Sequence, residues 1–274
     1  MTKYVKTAFE IFVLILIVFT TAFGYMRYIE PYTLKEVELS MSGSPTELKV
    51  AVFSDTHFNS WYSTDEFEEV VEKINAQSVD LVFFVGDLID HLDEYTGDLD
   101  QISNALSKID ASIGKYAIYG NHDYGGGAEW EYEGIMEAGG FTVLVNEDIY
   151  LEDLGIAITG IDDTLIGQGS SEAVASASTD YYNIVLCHEP DIVDDILQYP
   201  VNLMISGHTH GGQINFPGIT KRRLPPDGQK YVKGTFEFDN ESNTQLYVSK
   251  GIGMTKLPLR FMAMPEVTFI TLNH

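Results

Sequence analysis

The sequence SGHTHGGQINFP, residues 206–217, places His208 and His210 one residue apart in a turn rich in glycine. Glycine and proline at this density predict neither a helix interior nor a strand interior. An apolar run, VNLMIS (201–206), precedes the turn and predicts a buried strand. Two imidazoles at the end of a buried strand indicate either a tight turn alone or a bound ligand that needs both rings.

Short apolar runs of this kind recur along the chain and alternate with helical patterns. The helical patterns cover 64–77, 99–110 and 128–139, each with polar or acidic residues near its start. After about residue 228 the chain shifts to strands and turns. The alternation predicts an α/β core with parallel strands. The earlier runs are LKVAVF (48–53), DLVFFV (80–85), KYAIY (115–119), FTVLV (141–145), GIAITGI (155–161) and YYNIVLC (181–187).

Polar residues able to bind metal follow five of these strands directly. The carboxyl ends of strands in an open α/β sheet are where ligands gather, so these residues are expected to lie together. Of the seven histidines in the chain, only His91 and His274 fall outside the motifs, and both are expected at the surface. The motif residues are Asp55 and His57 in DTH, Asp87 in GDLID, Asn121, His122 and Asp123 in GNHD, His188 in HEP, and His208 and His210 in GHTHGG.

The ligand types indicate the kind of metal site. Oxygen and imidazole ligands without thiolate favour Mn²⁺, with Fe or Zn²⁺ as alternatives. The candidate ligands are too many for one tetrahedral ion. Two ions roughly 3.5–4 Å apart that share a carboxylate fit better, and such a pair clamps a phosphoryl group for in-line attack by hydroxide. Each motif alone is weak, since GNHD alone is also typical of a turn.

The order D-x-H, G-D, G-N-H-D, H, G-H-x-H resembles that of the calcineurin-like metallophosphoesterase family, from Leu48 to the end of the chain. The resemblance implies two packed mixed β-sheets flanked by helices, an α/β (α+β) fold with four layers. It also implies two divalent metal ions and a general acid for the leaving oxygen. By the resemblance, Asp55, His57 and His210 bind the first metal, Asn121, His188 and His208 bind the second, Asp87 bridges, His122 is the acid, and Asp123 holds His122.

Two longer segments, GHTHGGQINFPG and SKGIGMTKLPLRFMAMPEVTFITL, resemble the membrane-anchored bacterial branch of that family. That branch resembles, and in part overlaps, enzymes acting on phosphoesters of lipids or lipid precursors, including UDP-diacylglucosamine hydrolases. The expected function is therefore hydrolysis of a lipid-linked phosphodiester or pyrophosphate. A phosphomonoesterase of soluble substrates and a non-catalytic metal-binding scaffold are the alternatives. A metallopeptidase is disfavoured, because HEPD lacks the second histidine of H-E-x-x-H.

The amino terminus has a different composition. Residues 11–26, IFVLILIVFTTAFGYM, carry no charge, and extension back to Thr7 adds only Glu10 as a charge. This length suits a helix across a bilayer of roughly 30 Å. Lys3 and Lys6 favour a cytoplasmic amino terminus, hence a single-pass protein of the cell membrane with its catalytic domain outside the cytoplasm. A cleaved signal peptide and a buried core helix are the alternatives. The predicted organisation is an anchor (1–28), a connector (29–46) and a catalytic domain (47–274).

The charge balance bears on partners. With 16 basic and 41 acidic residues the net charge is −25, which disfavours nucleic acid as a partner. KRR (221–223) is too short a basic cluster to change this. The acidity is typical of a solvated surface or a salt-adapted host.

Cys187 is the only cysteine in the sequence, so no intrachain disulfide is possible. FNSWY (58–62) is either a loop packed on the core or an aromatic contact with acyl chains.

Overall fold

The computed structural model of the chain describes residues 3–216, 218, 220 and 223–274. Lys221 and Arg222 of the KRR cluster lie outside these residues. The α-helices are α1 (Lys3–Tyr28), α2 (Thr64–Ala76), α3 (Leu99–Ser107), α4 (Asn121–Gly125), α5 (Glu129–Ala138) and α6 (Val193–Ile196). The strands are β1 (Lys35–Ser42), β2 (Leu48–Phe53), β3 (Leu81–Val85), β4 (Gly114–Ile118), β5 (Thr142–Val143), β6 (Glu147–Leu151), β7 (Ile156–Gly160), β8 (Tyr182–Leu186), β9 (Leu203–Ser206), β10 (Gly234–Glu237), β11 (Gln245–Val248) and β12 (Glu266–Asn273).

The strands form two mixed sheets. The first has the order β1-β12-β2-β3-β4-β5 and is parallel except where β12 meets β2. The second has the order β10-β11-β9-β8-β7-β6, with antiparallel pairs at its two edges. The inner strands of each sheet are parallel, so their carboxyl ends lie at the same edge of the sheet.

Successive side chains along each strand point to opposite faces of the sheet, so each sheet packs against a different layer on each face. Val52 and Phe83 face the second sheet, where they meet Ile184 and other apolar side chains of β7, β8 and β9. Their neighbours Phe53 and Phe84 face the opposite way, against α2, α3 and α5. On the far side of the second sheet, α6 packs over β8 and β9. The predicted α/β/β/α order is confirmed, and burial on both faces explains why the strands appear in the sequence as continuous apolar runs.

The predicted elements agree with the structure where the apolar pattern is strong. Each of the seven apolar runs contains a strand, and α2, α3 and α5 lie inside the three predicted helical ranges. The strand β6 was not predicted. Its sequence, EDIYL, is only half-buried at the edge of the second sheet. An edge strand faces solvent and therefore lacks the apolar run that identifies a central strand.

The segment between α1 and β2 is built into the first sheet. β1 pairs with β12 along its whole length, from Lys35 opposite Glu266 to Ser42 opposite Asn273. The segment predicted to be a connector (29–46) therefore supplies an edge strand of the domain. Only residues 29–34 separate the end of α1 from β1.

The aromatic segment FNSWY packs on the core. Phe58 and Tyr62 are buried, at 0% and 4% exposure, among the side chains between the first sheet and α2. Phe58 also pairs with Ile89 in an isolated bridge. Of the two interpretations drawn from the sequence, loop packing is therefore correct. The interpretation that these two rings contact acyl chains is wrong, because both are buried.

The helix α1 is apolar and exposed along almost its full length. It has 26 residues and no buried side chain, which at 1.5 Å per residue gives roughly 39 Å. It is long and apolar enough to cross a membrane, judged by length and composition. Its last turn meets the domain, because the backbone N–H of Arg260 donates to the carbonyl of Met26 at 3.0 Å.

Candidate metal centre

The seven predicted metal ligands converge at the carboxyl ends of β2, β3, β4, β8 and β9, where the two sheets face each other. The Nε2 atoms of His57 and His210 lie 3.0 Å apart. Asp87 Oδ2 lies 3.3 Å from His57 Nε2 and 3.1 Å from His188 Nε2. The first sheet supplies the DTH, GD and GNHD residues and the second supplies the three later histidines, so the site exists only when the sheets pack.

Five of these seven residues have a left-handed backbone. Such a conformation costs a non-glycine residue of order 1–3 kcal/mol, and it persists only where the surrounding structure imposes it. Its concentration here shows that the strands turn sharply to direct side chains inward. The φ angles are 50° at Asp55, 41° at His57, 62° at Asp87, 72° at His208 and 50° at His210.

Gly86 shows how closely the strand ends approach each other. A Cβ atom at this position would lie 2.7 Å from the backbone nitrogen of Gly120 and 2.7 Å from Nδ1 of His188. Its φ of +90° also favours glycine. The glycine in GD is therefore required for β3, β4 and the His188 ring to meet at one point.

Outer partners orient the imidazole rings. His188 Nδ1 donates to the carbonyl of Val85 at 2.6 Å, which leaves Nε2 facing the site. His208 Nε2 donates to the carbonyl of Pro226 at 2.8 Å, which leaves Nδ1 facing the site. Fixing one ring nitrogen so that the other is free as an acceptor is the usual arrangement of metal-binding histidines.

The donor atoms fit divalent cations. Asp55 Oδ2 and Asn121 Oδ1 are buried and have no hydrogen-bonding partner among the described residues. A buried polar atom left in this state costs about 1–3 kcal/mol, and a cation would satisfy it. Potential ligand atoms lie within 4.8 Å of one another in four groups: Asp55, His57 and His210; Asp55, Asp87 and His188; His188, Glu189 and His208; and His57, Asp90 and His122.

His122 and Asp123 lie at the site but do not act on each other as expected. The Asp123 carboxylate accepts hydrogen bonds from the backbone N–H groups of Asp87, Leu88 and Gly120 at 2.8–2.9 Å. His122 Nδ1 instead lies 3.0 Å from the carbonyl oxygen of Asp90 and 3.3 Å from its carboxylate. Asp123 therefore braces the GD and GNHD loops against each other. The expectation that Asp123 holds the His122 ring is corrected to Asp90.

Asp90 is a site residue that the sequence analysis did not identify. Its carboxylate lies 3.1 Å from His57 Nδ1 and accepts a hydrogen bond from Thr255 Oγ1 at 2.7 Å. Asp90 thus links the His57 ring to the His122 ring and to the loop that contains Thr255. Its place in GDLID, three residues after Asp87, was the available signal.

Arg260 is a second residue that was missed. Its side chain is fully buried and donates to the backbone carbonyls of Lys250, Gly253 and Ala263. One guanidinium nitrogen lies 3.3 Å from Nδ1 of His210. Arg260 therefore packs behind His210 in the GHTH turn. No local pattern in the sequence indicates that contact.

The two histidines outside the motifs are exposed, as predicted. The His91 ring nevertheless lies near the site, with its centroid 5.6 Å from that of His122. His91 is therefore a surface neighbour of the centre.

Burial and neighbouring charges set the protonation of the site. Burial disfavours charge on His57, but Asp87 and Asp90 outweigh burial and raise its pKa to about 9. Burial and the adjacent His188 lower the pKa of His208 to about 4. Burial and the charge of Asp87 raise the pKa of Asp123 to about 7, against three backbone hydrogen bonds that favour its ionised form. A neutral His208 is the form that binds a metal ion.

A cleft of about 220 Å³ opens over the centre. Asp87, Asn121 and His122 form its polar side. The lining also includes apolar and cationic residues, among them Leu224, Leu257, Arg223 and Lys256. The cleft therefore offers metal ligands, a proton carrier and an amphipathic wall within one volume.

Residues 48–212 match the family described as Calcineurin-like phosphoesterase. That range is more than half of the chain and holds all seven candidate ligands and His122. The chain belongs to this family. The family uses a dinuclear divalent metal site, which agrees with the groups of Asp and His side chains at the centre.

Relatives of the phosphoesterase agree along nearly its whole length. It is 39% identical over 260 residues to the metallophosphoesterase YkuE of Bacillus subtilis, covering 92% of this chain and 90% of the relative. It is 26% identical over 260 residues to the phosphodiesterase YaeI of Escherichia coli, covering 92% and 93%. Among solved structures, the NAD nucleotidase of Haemophilus influenzae matches with a TM-score of 0.49 and 17% identity, over 76% of this chain and 45% of that one.

Family membership and these relatives place the chain among the metal-dependent phosphohydrolases, enzymes that act on phosphoesters.

Proposed function

We propose that this phosphoesterase hydrolyses a phosphodiester or pyrophosphate carried on a lipid, at the surface of the membrane that α1 spans. The observation that carries the hydrolytic part is the set of inward-facing donor atoms without partners, beside His122 in one cleft. The short link between α1 and β1 supports the lipid-linked part, because residues 29–34 leave little slack between the bilayer and the domain.

The ligands divide between two cations as follows. When bound, the pair would neutralise phosphoryl charge and lower the pKa of a water that attacks phosphorus. We propose Mn²⁺ as the metal, since oxygen and nitrogen donors without thiolate suit it, with Fe or Zn²⁺ as alternatives. The carboxylate of Asp87 lies between His57 and His188 and so can serve both ions. Asp55, His57 and His210 would hold one ion, and Asn121, His188 and His208 would hold the other.

His122 is the proposed acid for the leaving oxygen. Its Nδ1–H donates to the carbonyl of Asp90 at 3.0 Å, so Nε2 carries a transferable proton when the ring is in its doubly protonated, cationic form. Its backbone N–H donates to Asp87 Oδ1 at 2.8 Å, so the ring is fixed relative to the bridging carboxylate. As the bond between phosphorus and the leaving oxygen breaks, the proton on Nε2 passes to that oxygen.

The wall of the cleft supports an anionic substrate with an apolar group. A net charge of −25 repels phosphoesters at long range. Arg223 and Lys256 at the cleft oppose this repulsion locally, and Leu224 and Leu257 offer apolar contact. The two lysines before the span, Lys3 and Lys6, support a single-pass protein of the cell membrane with this domain outside the cytoplasm.

The test uses the full-length protein with Mn²⁺ in vesicles. One population of vesicles carries enzyme and a lipid pyrophosphate or lipid phosphodiester, and a second carries the same lipid without enzyme. A soluble nitrophenyl diester and a soluble monoester complete the panel, with Asp87→Asn as the inactive control. We expect turnover of the lipid in the enzyme's own vesicles only. Preference for the soluble monoester would reject the lipid-linked substrate and leave the hydrolase intact. Loss of hydrolysis on every substrate would reject the proposed chemistry.

A further inference from the structure

The loop before β12 is tied to the membrane end of α1. The N–H of Arg260 donates to the carbonyl of Met26 at 3.0 Å. The N–H of Ala263 donates to the carboxylate of Glu30 at 2.7 Å, and Glu30 is buried at 1% exposure. Both contacts reach the residues where the apolar helix ends, so this loop must lie at the level of the bilayer surface if α1 spans the membrane.

The same loop forms a wall of the metal cleft. Thr255, Lys256 and Leu257 line the cleft together with His122 and His210. The loop therefore joins the membrane end of α1 to the reaction site within a few residues. The wall of the cleft that this loop forms therefore lies only a few residues from the contact with the end of α1.

Exposed apolar side chains lie on, or next to, the two segments that line the cleft. Phe216, Leu257 and Met262, which we call the apolar rim, are 41%, 47% and 57% exposed. The Phe216 ring stacks on that of Phe261 at 4.6 Å, which joins the GHTH loop to the loop before β12. Met262 has a left-handed backbone, with φ of 53°. Exposed apolar side chains that lie together, unlike ones scattered singly, mark sites of interaction with a partner or a membrane.

The charge around the rim is opposite to that of the domain. Residues 205–226 and 254–265 contain no aspartate or glutamate, although the chain has 41 acidic residues. Arg223 and Lys256 lie in these two segments and line the cleft. Basic residues beside exposed apolar ones are typical of surfaces that rest on anionic lipid.

We propose that the apolar rim inserts into the headgroup region of the bilayer that α1 spans, so that substrate enters the cleft sideways from the leaflet. This rests on the membrane anchoring of the proposed function. The occupant is the lipid surface itself, and the contact of the loop with the end of α1 identifies it. Arg223 and Lys256 then face the phosphate groups of anionic lipids.

A fluorescent reporter tests the insertion in full-length protein. Met262→Cys and, as the matched control, Trp130→Cys carry an environment-sensitive dye. Trp130 is 85% exposed on α5, and the native Cys187 is buried and will not react. In vesicles of phosphatidylcholine and phosphatidylglycerol we expect a blue shift and quenching by spin-labelled lipid at 262 only. If the protein floats with its vesicles but the dye at position 262 reports water, insertion of the apolar rim is overturned and the membrane anchoring is not. Protein that does not float overturns the anchoring and the rim together.

A second pair of variants separates the rim from catalysis. Met262→Asn removes the apolar side chain but suits the left-handed backbone, since asparagine tolerates that conformation. Met262→Leu keeps the apolar character. We expect Asn, and not Leu, to lower turnover of the lipid-linked substrate about tenfold, with the soluble diester unchanged. Equal losses on both substrates, or equal effects of Asn and Leu, would overturn the proposal.

Discussion

Two regions of this phosphoesterase share the same strands and differ in almost every physical respect. Between the sheets, Val52, Phe83 and Ile184 are fully buried, apolar and extended. A few residues further along those strands, Asp87 and His188 are equally buried but polar. Residues at that edge have left-handed backbone, and some of their potential metal-ligating atoms have no hydrogen-bonding partner among the described residues.

The difference shows what each region contributes. The core between the sheets stabilises the fold through burial of apolar surface. The metal edge costs free energy in the metal-free protein, because like charges and unpaired donors are held together there. The first region therefore stabilises the protein enough for the second to be held in a conformation that only bound cations satisfy.

The largest expected effect comes from removing the carboxylate that we propose is shared by the two ions. Asp87→Asn should lower turnover about 10⁴-fold or more, because each cation supplies several kcal/mol of transition-state stabilisation. Metal content and phosphodiester hydrolysis are measured on the same sample, with the exposed Asp153→Asn as the control. If the Asp87→Asn variant retains two equivalents of metal and near-normal turnover, the dinuclear assignment is contradicted.

Removing the proposed acid should separate chemistry from metal binding. His122→Ala should keep both metals and lose about 10²–10⁴-fold in rate on substrates with poor leaving groups. The loss should shrink with nitrophenyl substrates, whose leaving group needs no proton. His91→Ala, at the exposed neighbouring ring, is the control. An equal loss on good and poor leaving groups would reject the acid role.

A core variant should show the reverse pattern. Ile184→Ala should lower the free energy of unfolding by about 2–5 kcal/mol, from lost burial and the cavity left behind. The folded variant should retain its metal affinity and its rate per active site. Urea unfolding with and without Mn²⁺ measures the first quantity, and metal titration the second. Loss of metal affinity in the folded fraction would mean that core and edge are coupled rather than separate.

Asp90 should behave as an outer partner of the metal edge. Asp90→Asn weakens the support of His57 and His122, and loss of such a partner costs about 10–100-fold in metal affinity or activity. The exposed Asp93→Asn controls for surface charge. Unchanged metal affinity together with unchanged rate would show that the contact has no functional role.

The smallest effect is a gain in stability. Asparagine tolerates the left-handed backbone at position 55, where φ is 50°. It also removes one of two neighbouring buried carboxylates. Without metal, Asp55→Asn should raise the free energy of unfolding by about 1 kcal/mol. With Mn²⁺ the order should reverse, since the wild type gains more from binding. A metal-free variant less stable than the wild type would contradict the view that this edge is held at a cost.

Much of the fold could be predicted from the sequence, and the errors have physical causes. Central strands such as β3 and β8 are buried on both faces, so their composition alone identifies them. β6 lies at a sheet edge and carries no such signal. The ligand types and their order could be predicted because each follows a buried strand directly.

The sequence by itself therefore determined the central strands, the candidate metal-ligating residues and the apolar segment at the amino terminus, since each depends on neighbouring residues. Only the tertiary structure decided which side chains act on one another. It places Asp90 rather than Asp123 against His122, and Arg260 behind His210. It also joins Glu30 to Ala263, 233 positions further along the chain. Such contacts leave no local pattern, because they are fixed by how the two sheets and the loop before β12 pack in space.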